Sequence, residues 1–207
     1  IITEGLGVLT PNIPIVAEEA VAAGIIPDIT RGVFWLVDPL DGTREFLDRN
    51  GEFTVNISLI VSTRPVFGVV HLPVFDQTYI GSEALGATQE KGGTEAQPIH
   101  VRDVSEGGLT VIASRRHGDA SQILKLLKGR KVAYHKTAGS SLKFCRVATG
   151  EADVYPRYGR TMEWDTAAGH AILNAAGGQV LTNDGNVLAY GKPNFENPPF
   201  VAWGGTD

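Results

Sequence analysis

The stretch Trp35-Leu-Val-Asp-Pro-Leu-Asp-Gly-Thr43 constrains this chain more than any other. Residues 33–37 form a short apolar run rich in aromatic and β-branched side chains, the pattern of a buried strand. Directly after it come an acid, a proline, a second acid and a glycine. Pro39 fixes φ and lacks a donor, and Gly42 admits backbone angles closed to other residues. The run therefore predicts a strand that stops in a tight turn holding Asp38 and Asp41 close together. Two carboxylates at one strand end repel unless a cation lies between them, and a hard divalent ion with oxygen ligands suits the pair. Thr43 adds a hydroxyl, and residues 44–47 can begin a helix whose free N–H groups face the same point, which suits a phosphate. Asp-Pro and Asp-Gly are also ordinary turn dipeptides. The metal reading therefore depends on further acids arriving from elsewhere in the chain.

A chain of 207 residues makes one large domain or two small ones. Its formal net charge of −5 argues against a nucleic-acid polymer as partner but leaves room for a small anionic ligand, since local cations can invert the field. The single cysteine, Cys145, excludes an internal disulfide and fits a reducing compartment. No apolar run reaches membrane-spanning length, and no signal-peptide pattern opens the chain. The expected location is the cytoplasm, with contact at the inner membrane left open. Residues 1–9 read as the end of a helix already under way, and Ile1 is not an initiator methionine, so a preceding segment is expected.

Residues 13–17 read as a short extended run leading into Glu18 and Glu19, acids that favour a helix start. Residues 20–32 read as a linker with a possible helical turn. Strands are predicted over 53–61, 66–72 and 77–81, with Arg64-Pro65 in a turn, and the short connections imply an antiparallel meander. Residues 86–98 are polar and glycine-rich, a surface loop or hairpin tip. After about residue 107 the pattern alternates: strand 109–113, helix 120–127, strand 131–134, loop 137–141, helix 142–149, extended 154–157, helix 166–176 closed by Gly177-Gly178, and a hairpin over 180–188. The reading is an α/β chain, an α+β layered arrangement. A meander subdomain over 1–107 carries the metal, and a smaller α/β subdomain over 108–207 carries the substrate.

In that second half, Asp165 stands just before a helix, where an N-cap is as good an explanation as a ligand. Ser140 and Ser141 open another helix, as caps or as a phosphate cradle. Lys143 in the first turn opposes the helix dipole, which favours an anion role. Arg157 can lie over Tyr155. Ser114 to His117 close a strand, a common place for a ligand in an α/β layer.

Three blocks, Ala17-Glu-Glu19, Asp38-Pro-Leu-Asp-Gly-Thr43 and Trp164-Asp-Thr-Ala-Ala-Gly169, together resemble the inositol monophosphatase superfamily of lithium-sensitive, magnesium-dependent phosphatases. Within it, residues 36–46, 50–56, 139–145 and 155–157 are most similar to the CysQ-type 3'(2'),5'-bisphosphate nucleotidases. The resemblance implies a sugar-phosphatase-like fold and a site for two or more Mg2+ ions. Glu18, Asp38, Asp41, Asp165 and the Leu40 carbonyl would be ligands. Glu18, Asp41 and Thr43 would be catalytic, with Glu18 and Thr43 orienting the attacking water. Gly42 and Thr43 would offer N–H groups to the scissile phosphate. Ser114, His117, Ser140, Lys143 and Arg157, with Asp165, would contact the rest of the substrate, and Glu163 is similar in position to a residue near it. The family also carries an N-terminal helical segment whose acid pairs with the motif threonine. The implied reaction is hydrolysis of adenosine 3',5'-bisphosphate to AMP and phosphate, which clears a by-product of sulfur assimilation. Inositol or sugar phosphates are the alternative substrates, and a non-catalytic phosphonucleotide binder is the alternative class. The oligomeric state is left open.

Overall fold

A computed structural model describes residues 1–115 and 120–205 of the protein. Helix α1 (Ile2–Leu9) precedes a seven-stranded sheet whose strands follow chain order: β1 (Ile15–Ala17), β2 (Val33–Asp41), β3 (Thr54–Val61), β4 (Arg64–Leu72), β5 (Gln77–Ser82), β6 (Gly86–Lys91) and β7 (Gln97–Pro98). Only the β1–β2 pair is parallel; the rest is the expected antiparallel meander. Two short helices interrupt it, α2 (Glu18–Ala22) and α3 (Thr43–Leu47). A five-stranded sheet follows, in the order β11 (Gln179–Thr182), β12 (Phe200–Trp203), β10 (Val154–Arg157), β8 (Leu109–Ala113), β9 (Val132–Thr137). Helices α4 (Ala120–Leu126), α5 (Leu142–Ala148) and α6 (Ala167–Ala175) alternate with its strands.

Helices α5 and α6 lie between the two sheets. One apolar core runs from Phe34, Ile60 and Tyr79 of the first sheet through Phe144, Ile172 and Leu173 to Tyr155 and Phe200 of the second. Helix α6 is built largely of small residues and comes unusually close to the first sheet. A side chain added at Gly81 would fall 2.9 Å from Ile172 N. The outer face of the second sheet is covered separately, with Leu127 packing against Leu109, Val111 and Val154. Among the described residues no helix is long and apolar enough to cross a membrane.

Several boundaries differ from the sequence reading. Strand β2 does not stop at Val37 but continues through Asp38, Pro39 and Leu40 to Asp41. A register shift against β3 between Asp38 and Asp41 absorbs the proline, and a bulge is where a strand tolerates the missing N–H. Arg64 and Pro65 belong to β4, next to a second shift, and the turn before them is Ser62-Thr63, both at positive φ. Of residues 86–98 only 92–96 form the expected hairpin tip; the rest is strand, β6 pairing with β5 along its length and β7 with β6. Strand β9 runs on to Thr137. The hairpin expected over 180–188 closes on one bridge, Leu181 to Val187, and β11 takes β12 as its strand partner instead.

Candidate active site

The bulge in β2 creates the site. Residues three apart on an unbroken strand point to opposite faces. Here Asp38 pairs with Asn56 and Asp41 with Thr54, so three steps on β2 match two on β3. Both acids therefore reach the face that β3 buries, which begins Thr54, Asn56, Ser58 and only then turns apolar at Ile60. Asp165, from the turn before α6, arrives on the same side. One carboxylate oxygen from each of Asp38, Asp41 and Asp165 lies within 4.8 Å of the other two. Glu18, the first residue of α2, hydrogen-bonds to Asp38 at the edge of this group.

Crowding and burial disturb the protonation of these acids. Burial, then the charges of Asp41 and Glu18, push Asp38 up to about 9. Burial and Asp41 push Asp165 up to about 7. Burial also raises Glu18, against its hydrogen bond with Asp38. The donor set consists of carboxylate oxygens, with neither imidazole nor thiolate, which matches a hard divalent cation and not a soft one.

The loop between β9 and α5 closes over the acids. Ser140, in the left-handed region at φ 46, donates its hydroxyl to the Asp41 carbonyl at 2.9 Å. Ser141 gives its N–H to Asp41 Oδ2 at 2.7 Å and its hydroxyl to the Asp165 carbonyl at 2.5 Å. Lys143 Nζ donates to the carbonyls of Ser140 at 2.6 Å and Ala138 at 3.3 Å, and lies 5.2 Å from the centre of the Tyr155 ring. Burial pulls this ammonium down to about 8. Glu52 Oε2 binds the loop from the first half, accepting the Gly139 N–H and Arg115, each at 2.7 Å. Gly42, at φ 87, caps α3 where a side chain would overlap Ser140 Oγ.

These elements surround a cleft of about 230 Å³ lined by Asp41, Gly42, Thr43, Ser114, Ser140, Lys143, Arg157 and Asp165, among others. Most of the residues singled out from the sequence therefore meet at one place. Thr43 is exposed at the first turn of α3. Arg157 does not lie over Tyr155: its guanidinium donates to Ser114 Oγ at 3.1 Å and to the carbonyls of Gly159 and Arg160. Leu40 gives its N–H to Asp38 Oδ1 at 2.9 Å. Asp165 does not cap α6 with its carboxylate, which accepts the Met162 N–H at 2.9 Å. Glu163 points elsewhere: it is fully buried and accepts the N–H groups of Gly191 and Lys192 and the Lys192 ammonium. His117 and Arg116 lie outside the described residues. Sequence reasoning gave no role to Thr54, Asn56, Glu52 or Arg44. For Thr54 and Asn56 a signal existed, since polar residues occupy the inward positions of an alternating strand.

Comparison with known proteins agrees with this geometry. A model of the inositol monophosphatase family matches residues 1–202. The chain is 47% identical over 203 residues to the 3'(2'),5'-bisphosphate nucleotidase CysQ of Salmonella typhimurium, covering 97% of this chain and 79% of that one. The protein of the same name from Escherichia coli K12 is 45% identical with the same coverage. Among solved structures, CysQ from Bacteroides thetaiotaomicron superposes with a TM-score of 0.82 at 38% identity, over 97% of this chain and 80% of that one. The inositol monophosphatase of Anabaena gives 0.79 at 26% identity, over 98% and 77%.

Proposed function

The chain belongs to the inositol monophosphatase family, and on that premise we infer that it is a magnesium-dependent phosphatase that removes the 3'-phosphate of adenosine 3',5'-bisphosphate. The observation that carries this reading is the acidic trio, of which Asp41 and Asp165 line a cleft that also holds Lys143 and Arg157. Asp38, Asp41 and Asp165, with Glu18 and the Leu40 carbonyl, would hold two or more Mg2+ ions. Bound there, such ions neutralise phosphoryl charge and ease both attack by water and departure of the ester oxygen. In the reaction, the water oxygen forms a new P–O bond, the bond to the 3'-oxygen breaks, and that oxygen takes up a proton from solvent water to leave as the ribose hydroxyl of AMP.

The chain's own groups do the orienting. Glu18 and the Thr43 hydroxyl hold the water, and Glu18 accepts its proton. Gly42 and Thr43 offer N–H groups at the start of α3 to the scissile phosphate. Ser114, Ser140, Lys143 and Arg157, which line the cleft, would hold the nucleoside and the phosphate that stays, and His117, which lies outside the described residues, is assigned the same role by the family resemblance alone. The buried Cys145 thiol, pushed up by burial, is no nucleophile. We divide the chain at 107/108 into a metal-binding half and a substrate-binding half, with Asp165 reaching across to the first. The cytoplasm is the proposed location.

A second reading keeps the metal site but takes inositol monophosphate, as the fold likeness to the Anabaena inositol monophosphatase suggests, or fructose 1,6-bisphosphate. The higher identity to the nucleotidases favours the nucleotide. A non-catalytic binder is disfavoured because Glu18, Asp38, Asp41, Thr43 and Asp165 are all present. The test is phosphate release with Mg2+ from adenosine 3',5'-bisphosphate, inositol 1-phosphate and fructose 1,6-bisphosphate, each with and without lithium. Preference for the nucleotide, suppressed by lithium, is expected. Preference for either sugar ester would retain the cation site and discard the nucleotide assignment, and tight nucleotide binding without release would make the protein a binder.

A further inference from the structure

Asp41 is held from three sides. Its Oδ2 accepts the Ser141 N–H at 2.7 Å, Asn56 Nδ2 at 3.3 Å and the Thr54 hydroxyl at 3.3 Å. With three donors on one oxygen, Oδ2 has no lone pair to spare, whereas no donor among the described residues reaches Oδ1, which is the oxygen left for another partner. Asn56 Nδ2 also donates to Ser141 Oγ at 2.9 Å, and Ser141 Oγ donates in turn to the Asp165 carbonyl. A continuous run of hydrogen bonds thus joins Asp41 on the first sheet to the backbone of Asp165 before α6. Asn56 and Ser141 are each 1% exposed and sit behind the cleft wall. Asn56 Oδ1 is buried with no hydrogen-bond partner among the described residues. A half-satisfied amide costs stability at a position an aliphatic residue would fill. The amide cannot turn over either, because Oδ1 would then meet the Asp41 carboxylate. Asn56 is therefore retained for its two N–H donors.

We propose that Asn56 and Ser141 are positioning residues that hold Asp41 as a one-oxygen ligand, locked in place relative to Asp165, and so set the affinity of the cation site. This rests on the cation reading above. Neither side chain would touch the ion or the substrate; both act through Asp41. Removing partners of this kind typically weakens metal binding by about 10–100-fold.

The experiment is calorimetric titration of Mn2+, an oxygen-seeking stand-in for Mg2+, into wild type, Asn56→Ala, Ser141→Ala and the double variant, with the melting temperature of each measured free of metal. Each single change is expected to raise the Mn2+ Kd by about tenfold or more. The double variant should be little worse than the weaker single, because the bonds form one unit. A merely structural pair would lower the metal-free melting temperature and leave Kd alone. Ser141→Ala removes one oxygen and keeps the N–H bond to Asp41, so it decides the matter even where Asn56→Ala fails to fold. A Kd for Ser141→Ala within about twofold of wild type, well short of the usual loss, would overturn the proposal. Failure of wild type itself to bind Mn2+ would overturn the cation reading instead.

Discussion

Replacing Gly68 by alanine tests how the fold places Asp165. A Cβ at Gly68 would lie 2.9 Å from Ala168 Cα and 2.9 Å from Ala171 Cβ, and closer still to the Ala168 carbonyl oxygen. Carbon–carbon contacts settle near 3.5–4.0 Å, so α6 must retreat by at least roughly 0.6 Å, and relief of the carbonyl demands on the order of 1 Å. The obstacles are mostly backbone, so no side-chain rotation relieves them. Overpacking of this kind costs typically about 1–3 kcal/mol. The upper end applies here, and for a chain of this size it lowers the melting temperature by about 6–12 °C. Asp165 lies just before α6 and moves with it. A displacement near 1 Å in a reacting constellation can cost roughly 10²-fold in rate. The assay is thermal unfolding without metal, paired with phosphate release. Gly5→Ala is the control: it lies in α1 with nothing within 4 Å of the added atom, and should be neutral or stabilising by roughly 0.5–1 kcal/mol. A Gly68→Ala protein that melts with wild type and keeps full activity would refute the argument that this close approach sets the Asp165 position.

Gly42→Ala would force alanine into the left-handed region at φ 87 and drive Ser140 Oγ away from the Asp41 carbonyl. A melting-temperature loss equivalent to about 1–2 kcal/mol is expected, with activity falling further than stability; unchanged kcat/KM would show that this contact is idle. Asp153 anchors the second sheet, accepting Arg102 Nε at 2.8 Å and Nη2 at 2.9 Å and the Thr110 N–H at 2.6 Å. Burial works to raise its carboxyl, but these donors together hold it below the usual carboxylate range. Its folded value lies below its unfolded one, so its stabilisation is complete above the ordinary aspartate range and is lost as pH falls through the depressed folded value. Asp153→Asn should cost about 1.5–3 kcal/mol at neutral pH, and urea unfolding across acid pH should show that this cost shrinks as the medium becomes more acid; a cost independent of pH would contradict the assignment.

The parts of the site that were legible in the sequence are those carried by local chemistry. Asp38, Asp41 and Thr43 announced themselves because an apolar run ended in two acids and a glycine, whereas Asp165, an equally good N-cap, was singled out only by the resemblance of residues 164–169 to the family. What stayed hidden depends on pairing between distant segments. The bulge that turns Asp38 and Asp41 to one face exists only relative to Asn56 and Thr54, and register is not written in either strand alone. Asn56 acquires its meaning from Ser141, a residue 85 positions away. Residues 86–91 read as loop because an outer strand needs few apolar side chains, and of that strand only Ala87 is buried. Strand β12 is short and follows Pro198-Pro199, which mask it. The partners of Glu163, Gly191 and Lys192, were hidden for the same reason, lying 28 and 29 residues further on.

Phosphate release from adenosine 3',5'-bisphosphate, followed as Mg2+ is removed with a chelator and then restored, in wild type and in Asp38→Asn, tests the central claim most directly. The expected result is release that vanishes with the chelator, returns with Mg2+ and is absent from Asp38→Asn at every Mg2+ concentration. Release that persists in excess chelator, or that Asp38→Asn retains in full, would contradict the assignment of these carboxylates to a catalytic cation.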